Sequence, residues 1–80
     1  MLIFHGVIEI LGEIMEYKLK FKDINETRDL KENFTIKNLL EELKLSSQTI
    51  VAKQNGELTI EDSVINDGDE INLVQIIYGG

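Results

Sequence analysis

An 80-residue chain that is 42% hydrophobic and 29% charged is long enough for one small folded domain and too apolar to be disordered. Its net charge of −7 at pH 7 argues against nucleic acid or an anionic membrane as partner, because both attract positive protein surface. Without cysteine there is no disulfide, and a single histidine cannot build a zinc site.

Residues 1–14 read as an N-terminal extension, disordered or partly helical. Phe4, Val7, Ile8, Leu11 and Ile14 would share one helical face, but Gly6 and Gly12 each cost about 1 kcal/mol against alanine. His5 reads as incidental rather than as a catalytic or metal-binding group. The stretch does not fit a signal peptide: no lysine or arginine precedes it, Glu9 and Glu13 interrupt it, and no small-residue cleavage site follows. No segment reaches the 18 or so apolar residues of a membrane span, so the chain is expected to be cytosolic.

Residues 15–80 read as one domain. Tyr17, Leu19 and Phe21 alternate with Lys18, Lys20 and Lys22, the pattern of a strand with one buried and one wet face. Asp23-Ile24-Asn25-Glu26 suits a reversal, and Thr27 to Glu32 a short, polar edge strand. Ile36, Leu39, Leu40 and Leu43 then fall at helical spacing and predict a helix ending near Leu45. Thr35 is its N-cap, with Phe34 placed to staple onto Leu39.

Ile50-Val51-Ala52 predicts a strand, Asn55-Gly56 a tight hairpin, and Leu58-Thr59-Ile60 the returning strand. Val64 and Ile65 form a small apolar anchor, and Asn66-Asp67-Gly68-Asp69 a second turn. The last strand, Ile71 to Ile77, is apolar at both parities, which marks a strand in the middle of a sheet. Hairpin, helix, hairpin and central strand predict an α+β roll of the β-grasp type. Its mixed sheet has four to five strands, one helix across one face, and the first and last strands parallel at the centre.

One sheet face is then left open. With Ile71 and Leu73 toward the helix, Val74 and Ile76 point away, beside the lysine row, and are expected to form a partner-binding face. Asp67 and Asp69 read as turn residues beside a glycine rather than as an acid–base pair or a metal site. Charge is unevenly spread: from Gln54 onward there are six acids and no base. That half is either a set of solvated turns or a surface that docks on a basic partner.

The chain stops at Ile76-Ile77-Tyr78-Gly79-Gly80. A glycine end following a central strand makes a slim tail of about 10 Å bearing a free carboxylate. Such a carboxylate can attack the α-phosphate of ATP and become a mixed anhydride, with no catalytic side chain needed on this chain.

The stretch from Asp67-Gly68-Asp69 through the apolar strand to Gly79-Gly80 resembles the C-terminus of the thiamine-biosynthesis sulfur carriers. These belong to the ThiS/MoaD family of ubiquitin-like β-grasp proteins, and the resemblance covers Met15 to Gly80. It implies that the chain is a carrier and not an enzyme. An E1-like enzyme would adenylate Gly80 with ATP, and sulfur from a cysteine-derived persulfide would replace AMP to leave a thiocarboxylate. That sulfur would pass to an enzyme making thiazole, molybdopterin or thiolated tRNA, and no cofactor would be bound to the chain itself. Tyr78, where other carriers have a small or basic residue, would select the activating enzyme or anchor the tail. Two alternatives stay open: a protein modifier joined through Gly80 to lysines, and a binding module whose tail is inert.

Overall fold

The computed structural model describes residues 15–76. The expectations for the N-terminal extension, His5 included, and for Ile77, Tyr78, Gly79 and Gly80 lie outside the described residues. Strands β1 (Glu16–Phe21) and β2 (Ile24–Asp29) form the first hairpin, helix α1 (Ile36–Glu42) follows, and β3 (Ile50–Gln54), β4 (Glu57–Thr59) and β5 (Glu70–Gln75) complete the sheet. The five strands lie in the order β2-β1-β5-β3-β4. β1 and β5 run parallel at the centre, and every other pair is antiparallel, as a β-grasp fold requires.

Alternation places the core on one face of this sheet. Tyr17, Leu19 and Phe21 of β1, Ile71 and Leu73 of β5, and Ile50 and Ala52 of β3 are all buried. The helix lays Ile36, Leu39 and Leu40 over them, and Phe34 joins the same cluster with its ring tilted against Tyr17 at 6.0 Å. Leu19, Leu39 and Ile71 are each 0% exposed and mark the centre. Truncating any one to alanine would remove about 2–5 kcal/mol by lost burial and a residual cavity.

Local chemistry fixes the element ends, in places away from the sequence expectation. The first reversal is the two-residue loop Lys22-Asp23, with Lys22 at φ +54° and Phe21 paired to Ile24. It comes earlier than Asp23–Glu26 because Ile24, opposite Phe21, gains burial by joining the strand. β2 therefore occupies residues 24–29 as an edge strand, and the chain leaves it where the Leu30 N–H donates to the Met15 carbonyl at 2.8 Å. The helix is capped as expected by Thr35, whose Oγ1 accepts from the Asn38 N–H, while Asn38 Oδ1 accepts from the Thr35 N–H.

Its C-terminal end comes at Glu42 rather than near Leu45. Lys44 turns to φ +60°, its N–H donates to the Glu41 carbonyl, and the Leu45 N–H reaches back to the Leu40 carbonyl at 2.9 Å. This is a Schellman closure with lysine where glycine is usual. It leaves Leu45 packed against the core outside the helix. The Asn55-Gly56 hairpin forms as expected, with φ of +56° and +87° matching the twist of its strands. β4 covers Glu57–Thr59 and leaves out Ile60, while β5 starts at Glu70 and ends at Gln75.

Candidate functional site

The root of the C-terminal tail is a central strand, paired on both sides. β5 pairs with β1 from Glu70 to Leu73 and with β3 from Ile71 to Gln75, and the Ile76 N–H then donates to the Thr49 carbonyl at 2.8 Å. Four residues follow Ile76, and covalent geometry lets them reach at most about 14 Å.

Beside that root lies the open sheet face. Val74 is 45% exposed and Ile76 38%, while Ile71 and Leu73 face the helix, which is the split that the period-two pattern predicts. Val74 stands opposite Val51, and Asn72 lies between Lys20 and Lys53. An open depression of ≈ 440 Å³ is lined by Lys22, Asn72, Leu73, Val74 and Gln75. The face is thus apolar toward the tail and basic toward the first strand, although the chain is acidic as a whole. Lys20 Nζ pairs with Glu70 Oε2 at 2.7 Å, and that hydrogen bond and charge hold the Glu70 carboxyl below its usual range.

The opposite end of β5 is fixed by a carboxylate. Asp69 is buried and accepts from Gln54 Nε2 at 2.6 Å, Asn55 Nδ2 at 2.9 Å and the Asn66 N–H at 2.8 Å. Burial pushes its carboxyl up, but these hydrogen bonds outweigh it and hold the group below its ordinary value. Gln54 in turn accepts from Ser63 Oγ and donates to the Val64 carbonyl. Asp67 Oδ1 accepts the Glu16 N–H at 2.9 Å, tying the same turn to β1. Both aspartates are thus occupied by structural hydrogen bonds, in line with the turn reading.

Sequence reasoning missed two features. It did not connect Asp69 with Gln54 and Asn55, which are 14 or 15 residues away, although two turn motifs of matching polarity were visible. It also read Leu58 and Ile60 as an ordinary returning strand, whereas they are the most exposed large apolar side chains described, at 71% and 69%. Among the described residues no group of His, Cys, Asp and Glu is arranged to hold a metal ion, and no helix is long and apolar enough to cross a membrane.

A family model described as the ThiS family matches residues 8–80, reaching seven residues further toward the N-terminus than the resemblance over Met15–Gly80. ThiS-family proteins are small sulfur carriers, not catalysts themselves, and work with E1-like and sulfur-transfer partners. With a five-stranded β-grasp sheet and a match over nearly its whole length, the chain belongs to the ThiS family of sulfur carriers.

Proposed function

We propose that this carrier takes its sulfur as a thiocarboxylate on Gly80. The carboxylate attacks the α-phosphate of ATP in an E1-like partner, pyrophosphate leaves, and Gly80 becomes an acyl adenylate. The terminal sulfur of a cysteine-derived persulfide then displaces AMP, and a thiol cleaves the resulting acyl disulfide to release the thiocarboxylate. ATP is bound by the partner, and no cofactor by this chain. The observation that carries the reading is the anchoring of β5 by β1 as far as Leu73 and by β3 as far as Gln75, with a further backbone bond at Ile76. A glycine-ended tail after this strand supports the reading, because glycine admits close approach of the backbone to a nucleotide.

Val74 and Ile76 form the docking face for the activating enzyme. Their exposure beside Lys18, Lys20 and Lys53 suits a partner surface that is apolar at its centre and acidic at its rim. Tyr78 and Gly79 belong to the tail that the partner recognises, with Tyr78 selecting the activating enzyme. The acceptor is an enzyme of thiazole, molybdopterin or thiolated-tRNA formation in the cytoplasm, and Gln75-Ile76-Ile77 favours the first. Deleting Gly80, or adding one residue after it, tests the reading in a reaction containing ATP, a sulfur donor and the activating enzyme. Loading should be lost while the fold persists, and a thiocarboxylate on either variant would refute the assignment.

A further inference from the structure

Three of the five large apolar side chains left exposed among the described residues lie in one stretch: Leu58, Ile60 and Val64. They belong to the β4 edge and the segment after it, and β4 pairs only with β3 among the described residues. The two-residue Asn55-Gly56 loop makes Gln54 and Glu57 a hydrogen-bonded pair, so Lys53 and Leu58 form the next, non-hydrogen-bonded pair. The Leu58 N–H and C=O consequently point outward from the sheet. Edge strands are commonly blunted by shortness, charge, proline or a bulge. β4 is only three residues long and carries the charge of Glu57, but it contains no lysine or proline and its register with β3 is unbroken, so it selects for a short strand of opposite charge.

Two further features surround this edge. A cleft of ≈ 340 Å³ opens between α1 and β3–β4, floored by Ile36, Leu40, Ile50 and Ala52 and rimmed by Ile60 and Glu61. Glu61 stands on its rim with Asp62 next in the chain, and Glu57 opens β4, all in the half of the chain that has no base. We propose that the β4 edge is a second docking site, which takes an extended basic-and-apolar segment of a partner protein as a sixth strand.

Main-chain pairing comes from the Leu58 N–H and C=O. One apolar side chain of the incoming strand lies beside Leu58, a neighbour covers the cleft, and lysine or arginine at the ends meets Glu57 and the Glu61–Asp62 pair. A second copy of this chain fits poorly, because pairing β4 with β4 brings the same acids together. Leu58 shares the sheet face of Val74 but lies two strands away from β5, and the site does not depend on the tail chemistry.

The test uses the full chain and a capped peptide, Lys-Val-Ile-Val-Lys, with Glu-Val-Ile-Val-Glu as control. Amide hydrogen exchange at Leu58 should slow about tenfold at saturating basic peptide, and the acidic control should bind at least about tenfold more weakly. Glu57→Lys with Asp62→Lys, both exposed positions, should weaken the basic peptide about tenfold. Methylating the peptide's central N–H should abolish protection. Equal binding of the acidic peptide, no binding at millimolar concentration, or effects centred on Val74 instead of Leu58 would overturn the proposal. So would Leu58 protection without peptide, whether it grows with concentration (a second copy) or does not (residues 1–14).

Discussion

Asn55 holds Asp69 and the strand after it in one grip: its Nδ2 donates to Asp69 Oδ1 at 2.9 Å, and its Oδ1 accepts the Glu70 N–H at 2.9 Å. The side chain that makes the β3–β4 turn therefore also fixes the start of the strand that carries the tail. Asp69→Ala would leave the donors of Gln54, Asn55 and Asn66 without their acceptor. The variant should lose about 2–4 kcal/mol of stability, measured as a lower urea midpoint at unchanged m-value.

The same carboxylate gives a pH dependence with a definite sign. Its folded-state value lies below the ordinary 3.8, so it contributes stability that is fully present above 3.8 and is lost as pH falls through the lower, folded value. Urea midpoints between pH 7 and pH 2 should therefore fall more steeply in the wild type than in Asp69→Asn below about pH 4. Equal slopes would show that the buried carboxylate is not the acid-sensitive group.

Lys44 sits at φ +60° at the Schellman position, where a side chain costs about 1–2 kcal/mol relative to glycine. Part of that is offset by the greater freedom of glycine in the unfolded chain. Lys44→Gly should stabilise the protein by about 0.5–1 kcal/mol, seen as a higher denaturation midpoint. Gly56→Ala should do the opposite by about 1 kcal/mol: an added Cβ meets nothing within 4 Å, so the loss is purely the strain of φ +87°.

Val74 is exposed on the open face, so Val74→Arg should change stability by less than about 0.5 kcal/mol. Sulfur loading by the activating enzyme should nevertheless fall at least about tenfold, since an apolar contact at the docking centre becomes a desolvated charge. A normal loading rate would remove Val74 from the docking face.

Much of the fold was legible because its signals are local. Tyr17, Leu19 and Phe21 alternate, Ile36 to Leu43 repeat at helical spacing, and Asn55-Gly56 needs only its own backbone to turn. The errors fall where a long-range gain decides. Ile24 extends β2 by packing opposite Phe21, and Lys44 ends the helix in a conformation that its residue type does not advertise. Asp69 looked like one more turn aspartate because its side-chain donors, Gln54 and Asn55, come from another hairpin. At the candidate site, the outward side of β5 followed from its parity, and Val74 and Ile76 are exposed accordingly. The bareness of Leu58 and Ile60 did not, because an apolar residue on a short strand reads the same whether or not anything covers it.

The central proposal is sulfur on Gly80, and mass spectrometry of the protein isolated from its own cells tests it most directly. The C-terminal peptide must be fragmented, since oxidation of Met1 or Met15 adds nearly the same mass as exchanging oxygen for sulfur. The expected result is a sulfur-for-oxygen replacement localised to Gly80 and absent when Gly80 is deleted. An unmodified Gly80 carboxylate that persists after incubation with ATP, sulfide and cell extract would contradict it, as would a branched peptide joining Gly80 to a lysine in place of any thiocarboxylate.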